Sequence, residues 1–381
     1  MNILIAPDSF KGSLTSVTVA RALAEGWARA RPDDRIRLSP LADGGEGTLD
    51  AVAAAGGWLE LPASARDPMG RPLGGRFLRQ GDRAVVELAT ASGLSRLKAD
   101  ALAPMEASTF GTGLILAAAV GLGVREVVLG LGGSATNDGG SGLLTALGVR
   151  FLDAGGMELP PGGGGLASLA SVDLSGVSPV LREVSLTIAS DVSNPLVGER
   201  GAAATYGPQK GASPAQVAAL ERSLAHYADV LEAAVGRAIR NVPGAGAAGG
   251  TTAGLLAIAD RFGDFRMRPG IEVLMELTGF DEALVEADLV LTGEGRIDEQ
   301  TGYGKTALGV ARRAAAAGRP CICFGGGVLV SGIASLRALG AVIVPVLERP
   351  QSVKEAMAGG ADPVARAAER TAQLLSLGER T

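Results

Sequence analysis

Short runs of aliphatic and β-branched residues alternate along the chain with Gly-rich turns and with helix-period patterns. Strands that alternate with helices predict α/β units and mainly parallel sheets. In such sheets, ligands bind beyond the carboxyl ends of the strands, where these turns lie. The predicted strands are Ile3–Ala6, Val85–Leu88, Val127–Leu131, Leu186–Ala189, Leu289–Leu291, Cys321–Phe324 and Ala341–Val346, with a weaker pattern at Arg35–Leu38.

Neither end of the chain has enough predicted strands for a sheet of its own. We therefore predict one α/β domain built from both termini, residues 1–62 and 286–381, and a second α/β domain, residues 63–285, inserted between them. In that arrangement Ile3–Ala6 pairs with strands drawn from Leu289–Val346.

A long amphipathic helix is predicted to follow Ser213. Ser213 and Gln216 form a capping-box pattern, and Pro214 occupies the first turn. His226, the single histidine, lies beside the apolar stripe of this helix, and we interpret it as a structural or surface residue. A Ser-His-Asp hydrolase and a multi-histidine metal site are thereby disfavoured. The apolar stripe consists of Val217, Leu220, Leu224, Ala228, Leu231 and Val235.

Charge and hydropathy narrow the range of partners. The net charge is -5 and no basic stripe occurs, which argues against nucleic acid and anionic membranes as partners. The apolar stretch Leu114–Val124 is too short to span a bilayer, and the first residues read as a strand and not as a signal peptide. Cys321 and Cys323 alternate along a strand and are not expected to pair, so we predict a cytoplasmic protein. The sequence does not distinguish a monomer from a homo-oligomer.

Four Gly-rich segments carry acids or amides near strands, and we predict that each is a turn. Glycines free backbone N–H groups to face an anion, and acids beside them fit a site where Mg²⁺ bridges carboxylates and phosphate oxygens. Ordinary Gly/Asp/Asn turn chemistry explains any one of them, but four in one chain favour a binding cleft. The segments are Asp43–Thr48, Gly132–Gly140, Asp191–Pro195 and Gly293–Asp298.

Lysine is rare here, with only five residues, while all other basic positions are arginine. Lysine supplies a compact point charge that suits a phosphoryl oxygen, whereas arginine has a wider planar fork. Lys11, Lys210 and Lys305 lie in turn-like contexts, so we predict functional roles for them. Lys98 and Lys354 do not lie in such contexts.

Two common nucleotide motifs fit poorly. Gly304-Lys305-Thr306 resembles the end of a P-loop, but the earlier glycine of that motif is replaced by Glu299. Gly130–Ala135 fits the dinucleotide pattern G-x-G-x-x-A. Gly139-Gly140 would then interrupt the helix that this motif requires, at a cost of about 1 kcal/mol per glycine.

The motifs taken together, in chain order from residue 6 to residue 305, resemble the bacterial glycerate kinase family. One departure is Thr306-Ala307, where the family more often has proline. The resemblance implies phosphotransfer from ATP to D-glycerate giving 2-phosphoglycerate, and two α/β domains, one flavodoxin-like, with the active site in the cleft between them. The motifs are Ala6–Ser13, Pro40–Thr48, Gly132–Gly140, Asn194–Leu196, Tyr206–Ala212, Gly246–Gly250 and Thr292–Asp298.

Phosphoryl transfer needs alignment, charge neutralisation and a base for the attacking hydroxyl. Asp191 and Asp8 compete for the role of base, and an Asx turn ahead of Pro195 is the structural alternative for Asp191 and Asn194. The remaining assignments are Lys11, Lys210 and Lys305 for phosphate or carboxylate charges, Ser9, Asp43, Glu46 and Asn194 for substrate, Gly133, Ser134, Thr136 and Asn137 for ATP, and Asp138, Glu294 and Asp298 for Mg²⁺.

The residues alone do not exclude two other functions. One is a kinase of another small hydroxy acid or polyol. The other is a nucleotide-binding regulator that has lost catalysis. Glycerate-dependent release of ADP separates an enzyme from such a regulator.

Overall fold

A computed structural model describes residues 1–299, 301 and 306–378. It confirms a mixed α/β fold with mainly parallel sheets. The strands are β1 Asn2–Ile5, β2 Arg35–Leu38, β3 Leu59–Arg66, β4 Pro72–Gln80, β5 Arg83–Glu87, β6 Glu126–Gly130, β7 Arg150–Leu152, β8 Ser171–Asp173, β9 Ser185–Ala189, β10 Asp264–Arg268, β11 Leu289–Ile297, β12 Cys321–Val328 and β13 Val342–Pro345. The α-helices are α1 Ser16–Ala30, α2 Thr48–Ala54, α3 Ala89–Ser92, α4 Phe110–Gly121, α5 Ser141–Ala146, α6 Ala202–Tyr206, α7 Pro214–Val235, α8 Ala247–Ala257, α9 Gly270–Thr278, α10 Phe280–Glu286, α11 Thr306–Ala316, α12 Val330–Arg337, α13 Val353–Ala358 and α14 Asp362–Gly378.

The chain divides into two compact units. The terminal unit consists of Met1–Asp43, Asp50–Gly57 and Ile271–Thr381, and the inserted unit consists of Gly44–Leu49 and Trp58–Gly270. The two domains predicted from the sequence, with boundaries at residues 62 and 286, are parts of the chain expected to fold independently. That expectation stays a prediction.

The sheet of the terminal unit has the strand order β13-β12-β11-β1-β2, and every pair in it is parallel. If the five strands are renumbered 1 to 5 in chain order, the sheet read from β2 has the order 2-1-3-4-5, which is that of flavodoxin-like folds. β1 pairs with β11 through Ile3 and Leu289, so the predicted pairing of the first strand with a C-terminal strand is present. Helices α1 and α14 pack together on this sheet, with Trp27 fully buried.

The segment Gly293–Asp298, which we predicted as a turn, is mostly strand. β11 continues to Ile297 and pairs with the Gly-rich end of β12, with Glu294 opposite Gly325. Glycine is needed here for close approach, because a Cβ on Gly293 would lie 2.5 Å from the carbonyl oxygen of Phe324. The glycines therefore mark tight backbone packing and not a reversal of the chain.

The inserted unit contains a six-stranded sheet in the order β10-β9-β6-β5-β4-β3. The first four strands are parallel, whereas β4 and β3 are antiparallel additions. The sequence did not predict β3, β4 or β10, nor the small pair β7 and β8. Pro62 lies in β3, which is an edge strand and so tolerates a residue without an N–H.

Helix α7 begins with the predicted capping box between Ser213 and Gln216. His226 lies on this helix, with its Nε2 2.7 Å from the Leu169 carbonyl oxygen, in agreement with a structural role. Cys321 and Cys323 are both free and buried, so the predicted absence of a disulfide between them is confirmed. None of the helices in the described part of the chain is long and apolar enough to cross a membrane.

Candidate active site

In the terminal unit, the carboxyl ends of β1 and β11 lie side by side where the strand order reverses. Ligands of open α/β sheets bind at such a point. Asp8 follows β1, and its backbone N–H donates to the Gly293 carbonyl oxygen at 2.8 Å. Glu294 follows directly in β11, so the fold brings together two acids that are far apart in sequence.

Asp8 is an almost completely buried carboxylate, with 6% of its surface exposed. The Thr306 hydroxyl donates to its Oδ2 at 2.6 Å, and the Ser9 N–H donates to its Oδ1 at 2.6 Å. Burial, and then the charge of Asp43, raise the pKa of Asp8 to about 6, although these hydrogen bonds and Lys11 oppose the shift. A carboxyl group that exchanges its proton near neutral pH suits a general base.

Lys11 places a positive charge beside these acids. Its Nζ lies 3.3 Å from the Asp43 Oδ2, and 73% of its side chain is exposed. The neighbouring Asp43 charge is the main cause that raises the pKa of Lys11. The ammonium therefore stays charged while remaining accessible to an anionic ligand.

Glu294 and Asp298 are linked through one hydroxyl group. Thr301 donates from Oγ1 to the Glu294 carboxylate at 2.5 Å and accepts from the Asp298 N–H at 3.1 Å. The Asp298 carboxylate also lies 3.3 Å from the Arg296 guanidinium. Among the described residues there is no group of three or more His, Cys, Asp or Glu side chains arranged to hold a metal. Lys305 lies outside the described residues.

A cavity of about 720 Å³ opens on this cluster and lies entirely in the terminal unit. One part of its wall is polar and the other is apolar. The polar part contains Asp8, Ser9, Lys11, Ser13, Asp43, Glu294, Arg296 and Asp298, and the apolar part contains Phe10, Leu14, Val328, Leu329, Val346, Leu347, Val353, Ala356, Met357 and Val364.

In the inserted unit, Asp138 organises the Gly-rich turn after β6. Its carboxylate is buried and accepts from Thr109 N and Oγ1, both at 2.8 Å, and from the N–H groups of Gly140 and Gly142, both at 3.2 Å. Burial raises the pKa of Asp138, against these hydrogen bonds. Because its oxygens are already engaged by the protein, Asp138 fits a metal poorly in this arrangement.

Lys210 is buried against the Gly132–Gly140 turn, and 2% of its surface is exposed. Its Nζ donates to Ser134 Oγ at 3.0 Å and to the Thr136 carbonyl oxygen at 2.6 Å. Burial lowers the pKa of Lys210 to about 7, while the charge of Asp138 opposes that shift. The lysine thus fixes the shape of the turn from inside the unit.

The side chains of Thr136 and Asn137 are fully buried. The Thr136 hydroxyl and both polar atoms of the Asn137 amide have no hydrogen-bond partner in the described part of the chain. Close packing of Gly249 helps to enclose them, since a Cβ there would lie 1.9 Å from the Thr136 carbonyl oxygen. Any contact of these two side chains with a ligand therefore requires the turn to open, whereas Gly133 of the same turn is exposed.

The other predicted residues of the inserted unit also lie near strand ends. Asp191 follows β9 and accepts from the Gly270 N–H at 2.8 Å. Asn194 donates to the Arg200 carbonyl oxygen and accepts from the Tyr206 hydroxyl, each bond within 2.8 Å, which gives it a structural role in this arrangement. Glu46 is exposed in the segment whose Gly44 carbonyl oxygen accepts from the Gly132 N–H at 3.0 Å.

Several supporting residues were not predicted. They are Thr306, which holds Asp8; Thr109, which holds Asp138; and Tyr206, which holds Asn194. Glu87, at the end of β5, accepts from the N–H groups of Gly47 at 3.3 Å and Leu49 at 2.9 Å. Three of them carried a signal in the sequence: Glu87 as an acid in a predicted apolar strand, Tyr206 in the motif Tyr206–Ala212, and Thr306 in Gly304-Lys305-Thr306.

A second cavity, of about 360 Å³, lies in the inserted unit. Arg66, Glu106, Arg150 and Glu158 are among its lining residues, and the predicted site residues lie elsewhere. The acids and the lysine at the β1–β11 switch point thus remain the stronger candidate for chemistry.

A flavodoxin-like sheet with a buried acid, an accessible lysine and a cavity at its switch point is the architecture of an α/β protein with a candidate small-molecule site there. Comparison with known proteins agrees with this class. The model of the glycerate kinase family matches residues 3–376, so the chain belongs to that family. Membership identifies it as a kinase, an enzyme that uses a nucleotide.

Individual relatives match over the whole chain. A protein named glycerate kinase from Halalkalibacterium halodurans is 43% identical over 382 residues, which cover 100% of this chain and 99% of that protein. Glycerate 2-kinase from Escherichia coli is 39% identical over 383 residues, with coverage of 100% and 99%. The crystal structure of a putative glycerate kinase 2 from Salmonella typhimurium LT2 superposes with a TM-score of 0.83 at 37% identity and covers 100% of both chains.

Proposed function

We propose that this enzyme transfers the γ-phosphoryl group of ATP to the 2-hydroxyl group of D-glycerate and releases 2-phosphoglycerate and ADP. The observation that carries the proposal is the buried Asp8 beside Lys11 and Asp43 at the switch point of the terminal unit. Family membership and the full-length match to a glycerate 2-kinase support the choice of substrate and position.

Asp8 is our choice for the general base. It accepts the proton of the attacking hydroxyl as the oxygen bonds to the γ-phosphorus and the bond to ADP breaks. Its pKa of about 6 leaves it mostly ionised at neutral pH while keeping it a stronger base than an ordinary carboxylate. Asp191 was the competing candidate, and its carboxylate accepts from the Gly270 N–H, a long-range structural contact that differs from the local Asx turn considered above.

Lys11 and Ser9 are proposed to bind negative oxygens of the substrate or of the transferred group. Lys11 is accessible, and Ser9 is half-buried on the wall of the same cavity. The assignment of the Gly133–Asn137 turn in the inserted unit to ATP phosphates stays a prediction, because Lys11, Glu294 and Asp298, the phosphate-binding and Mg²⁺-binding groups proposed here, lie in the terminal unit. Lys210 would then act as a positioning residue that holds this turn, in place of the direct catalytic contact that the sequence suggested.

The roles of Asp43, Glu46 and Asn194 in binding substrate, and that of Lys305 in binding phosphate, remain predictions. Asp43 lines the cavity beside Lys11, which favours it among these four.

The acids of the terminal unit fit Mg²⁺, since Asp8, Asp43, Glu294 and Asp298 line one cavity together with two basic residues, Lys11 and Arg296, and so give it excess negative charge. Glu294 and Asp298 are the residues that would hold the ion, whereas the saturated Asp138 fits it less well. Mg²⁺ takes one or two carboxylates together with phosphate oxygens, and it would supply charge neutralisation for the transferred group. The cytoplasmic location is likewise proposed, on the two free thiols Cys321 and Cys323.

A coupled assay of ADP release with ATP, Mg²⁺ and D-glycerate tests the activity. L-glycerate, glycerol, lactate and tartronate are the competing acceptors, and phosphorus NMR of the product distinguishes the 2-phosphate from the 3-phosphate. ADP release that does not depend on D-glycerate would overturn the proposed reaction. Faster reaction with another acceptor would instead favour a kinase of a different hydroxy acid or polyol.

Lys11→Met provides a second test. We expect at least about a tenfold loss of kcat/KM, because a charge-assisted contact that forms with the transferred group is worth roughly 1.4 kcal/mol or more. Lys354→Met is the matched control, since it removes an exposed lysine from α13 that does not line the cavity. Removal of divalent ions with EDTA should abolish the activity, and Mg²⁺ should restore it.

A further inference from the structure

The apolar part of the cavity in the terminal unit contains several large hydrophobic side chains that are exposed to solvent. Leu329, Leu347, Val353 and Met357 line it, and they are 44%, 38%, 76% and 41% exposed. Large hydrophobic side chains are scattered singly over most protein surfaces, whereas a contiguous cluster around a cavity marks a binding site. These four residues, together with Val346 and Val364, define what we term the apolar wall.

The apolar wall begins next to the charged cluster. Met357 reaches the turn that carries Lys11, since a Cβ on Gly12 would lie 3.2 Å from the Met357 Cε. Gln351, whose side chain offers both a donor and an acceptor, also lines the cavity. A single ligand that fills the cavity would therefore have one end that contacts Lys11 and, through the proposed Mg²⁺, the acids Glu294 and Asp298, and one flat or apolar end.

D-Glycerate cannot use both parts of this cavity. It has three carbons that carry a carboxylate and two hydroxyl groups, so it has no apolar surface to place against leucine and methionine. A nucleoside triphosphate has the required polarity, with phosphates at one end and a purine base at the other. The cavity of about 720 Å³ is within the range of small-molecule sites, roughly 300 to 1,000 Å³.

We propose that the apolar wall binds the adenine base of the nucleotide, and that Gln351 recognises the edge of the base through its amide. This inference rests on the proposed function for the identity of the nucleotide. An amide side chain pairs with the amino group and the adjacent ring nitrogen of adenine, as it does in nucleic-acid recognition. Met357 and Leu347 supply apolar contacts to the faces of the base.

Photolabelling of the intact enzyme with 8-azido-ATP tests the location directly. We expect the label in the segment 346–364, with protection by ATP and no protection by D-glycerate. A label on another segment, or a label that ATP does not displace, would overturn the assignment. An enzyme without glycerate-dependent ADP release would refute the proposed function, but the position of the label would still decide the inference.

Calorimetric titration supplies an independent measurement. The double variant Leu347→Ala/Val353→Ala should raise the Kd for ADP by about tenfold, because two apolar contacts with the base are lost. Binding of inorganic tripolyphosphate, which lacks a base, should not change. The matched control is Leu374→Ala/Val342→Ala, which truncates exposed residues outside the cavity in the same unit and should leave both affinities as in wild type. Equal losses for ADP and tripolyphosphate, or an unchanged Kd for ADP, would contradict the proposal.

Discussion

Asp8 combines burial with four polar neighbours, and the balance among them determines when it is ionised. Burial and Asp43 favour the protonated acid, whereas Thr306, the Ser9 N–H and Lys11 favour the carboxylate. At neutral pH the carboxylate form dominates. Below about pH 6 the proton returns and the proposed base is lost.

We therefore expect kcat/KM for D-glycerate, at saturating ATP and Mg²⁺, to fall on the acid side with a midpoint at or below about pH 6, because a bound Mg²⁺ would favour the Asp8 carboxylate. Thr306→Val removes the hydroxyl that donates to Asp8 Oδ2 and so destabilises the carboxylate. A hydrogen bond to a charged group is worth about 1.5 kcal/mol, so the midpoint should rise by about one pH unit.

The control for this comparison is Thr371→Val. Its hydroxyl donates to the Ala367 carbonyl oxygen within α14, away from the cavity. Its pH profile should match that of wild type. Identical midpoints for Thr306→Val and wild type would remove Asp8 from the role of base.

Lys210 offers a second test at the residue scale, through stability. Its pKa is about 7 in the folded protein and 10.5 in the unfolded chain. Between these values the unfolded chain binds more protons, so the contribution of Lys210 to stability rises as the pH rises from 7 towards 10.5. Below pH 7 the group is charged in both states and the full cost of burial is present.

Urea unfolding of wild type and Lys210→Met at pH 7 and pH 9 measures this effect. The difference in the free energy of unfolding should move in favour of wild type by about 2 kcal/mol between the two pH values. Lys98→Met, which changes an exposed lysine, should follow wild type at both. A difference for Lys210→Met that does not change with pH would show that the ammonium is solvated.

At the scale of elements, apolar runs were sufficient to predict the largely buried parallel strands β1, β5, β6, β9, β11 and β12. They missed the parallel strand β10, whose charged residues leave it only partly buried. They were insufficient for β3 and β4, where Pro62 and the pair Gly74-Gly75 interrupt the pattern. Glycine also misled us in β11, since it serves there to let two strands and a loop approach closely. A glycine signal therefore predicts close packing as readily as a turn.

For the candidate site, local motifs could be predicted from the sequence and long-range contacts could not. Asp8 and Lys11 could be predicted because they belong to a local Gly-containing motif next to a strand. The hydrogen bonds of Thr306 and Thr109 to their acids could not be predicted, because the partners are 298 and 29 residues away along the chain. Tertiary structure alone brings such hydroxyl groups to the acids.

Gly26 tests close packing between two helices. It lies within α1, and a Cβ there would be 1.9 Å from the Ala365 carbonyl oxygen in α14. Gly26→Ala should therefore destabilise the protein by about 2 kcal/mol, although alanine is intrinsically the better helix former. The measurement is the midpoint of thermal or urea unfolding.

The matched control is Gly121→Ala at the end of α4, where nothing lies within 4 Å of the added Cβ. Helix propensity then favours alanine by up to about 1 kcal/mol, so this variant should be as stable as wild type or more stable. Destabilisation of both variants by the same amount would mean that packing between α1 and α14 is not the cause.

At the scale of the whole molecule, the terminal unit depends on both ends of the chain. β1 and β2 come from the first part of the chain and β1 pairs with β11, so residues 286–381 alone would supply only three of the five strands, β11, β12 and β13. Burial of Ile3, Ile5 and Leu291 in one core has the same consequence. This dependence underlies the proposed discontinuous domain.

Fragments of the protein test that proposal. Residues 271–381 alone should show no cooperative unfolding transition, because removal of β1 leaves β11 with an unpaired edge and exposes the core on both sides. Residues 1–57 joined to residues 271–381 through a flexible Gly/Ser linker should regain a cooperative transition by circular dichroism, since all five strands of the sheet are then present.

The same linked fragment with Ile3→Asp and Ile5→Asp is the control, and it should remain unfolded because two charges would be buried without partners. If residues 271–381 unfold cooperatively by themselves, the two termini do not form one folding unit and the proposed domain is wrong.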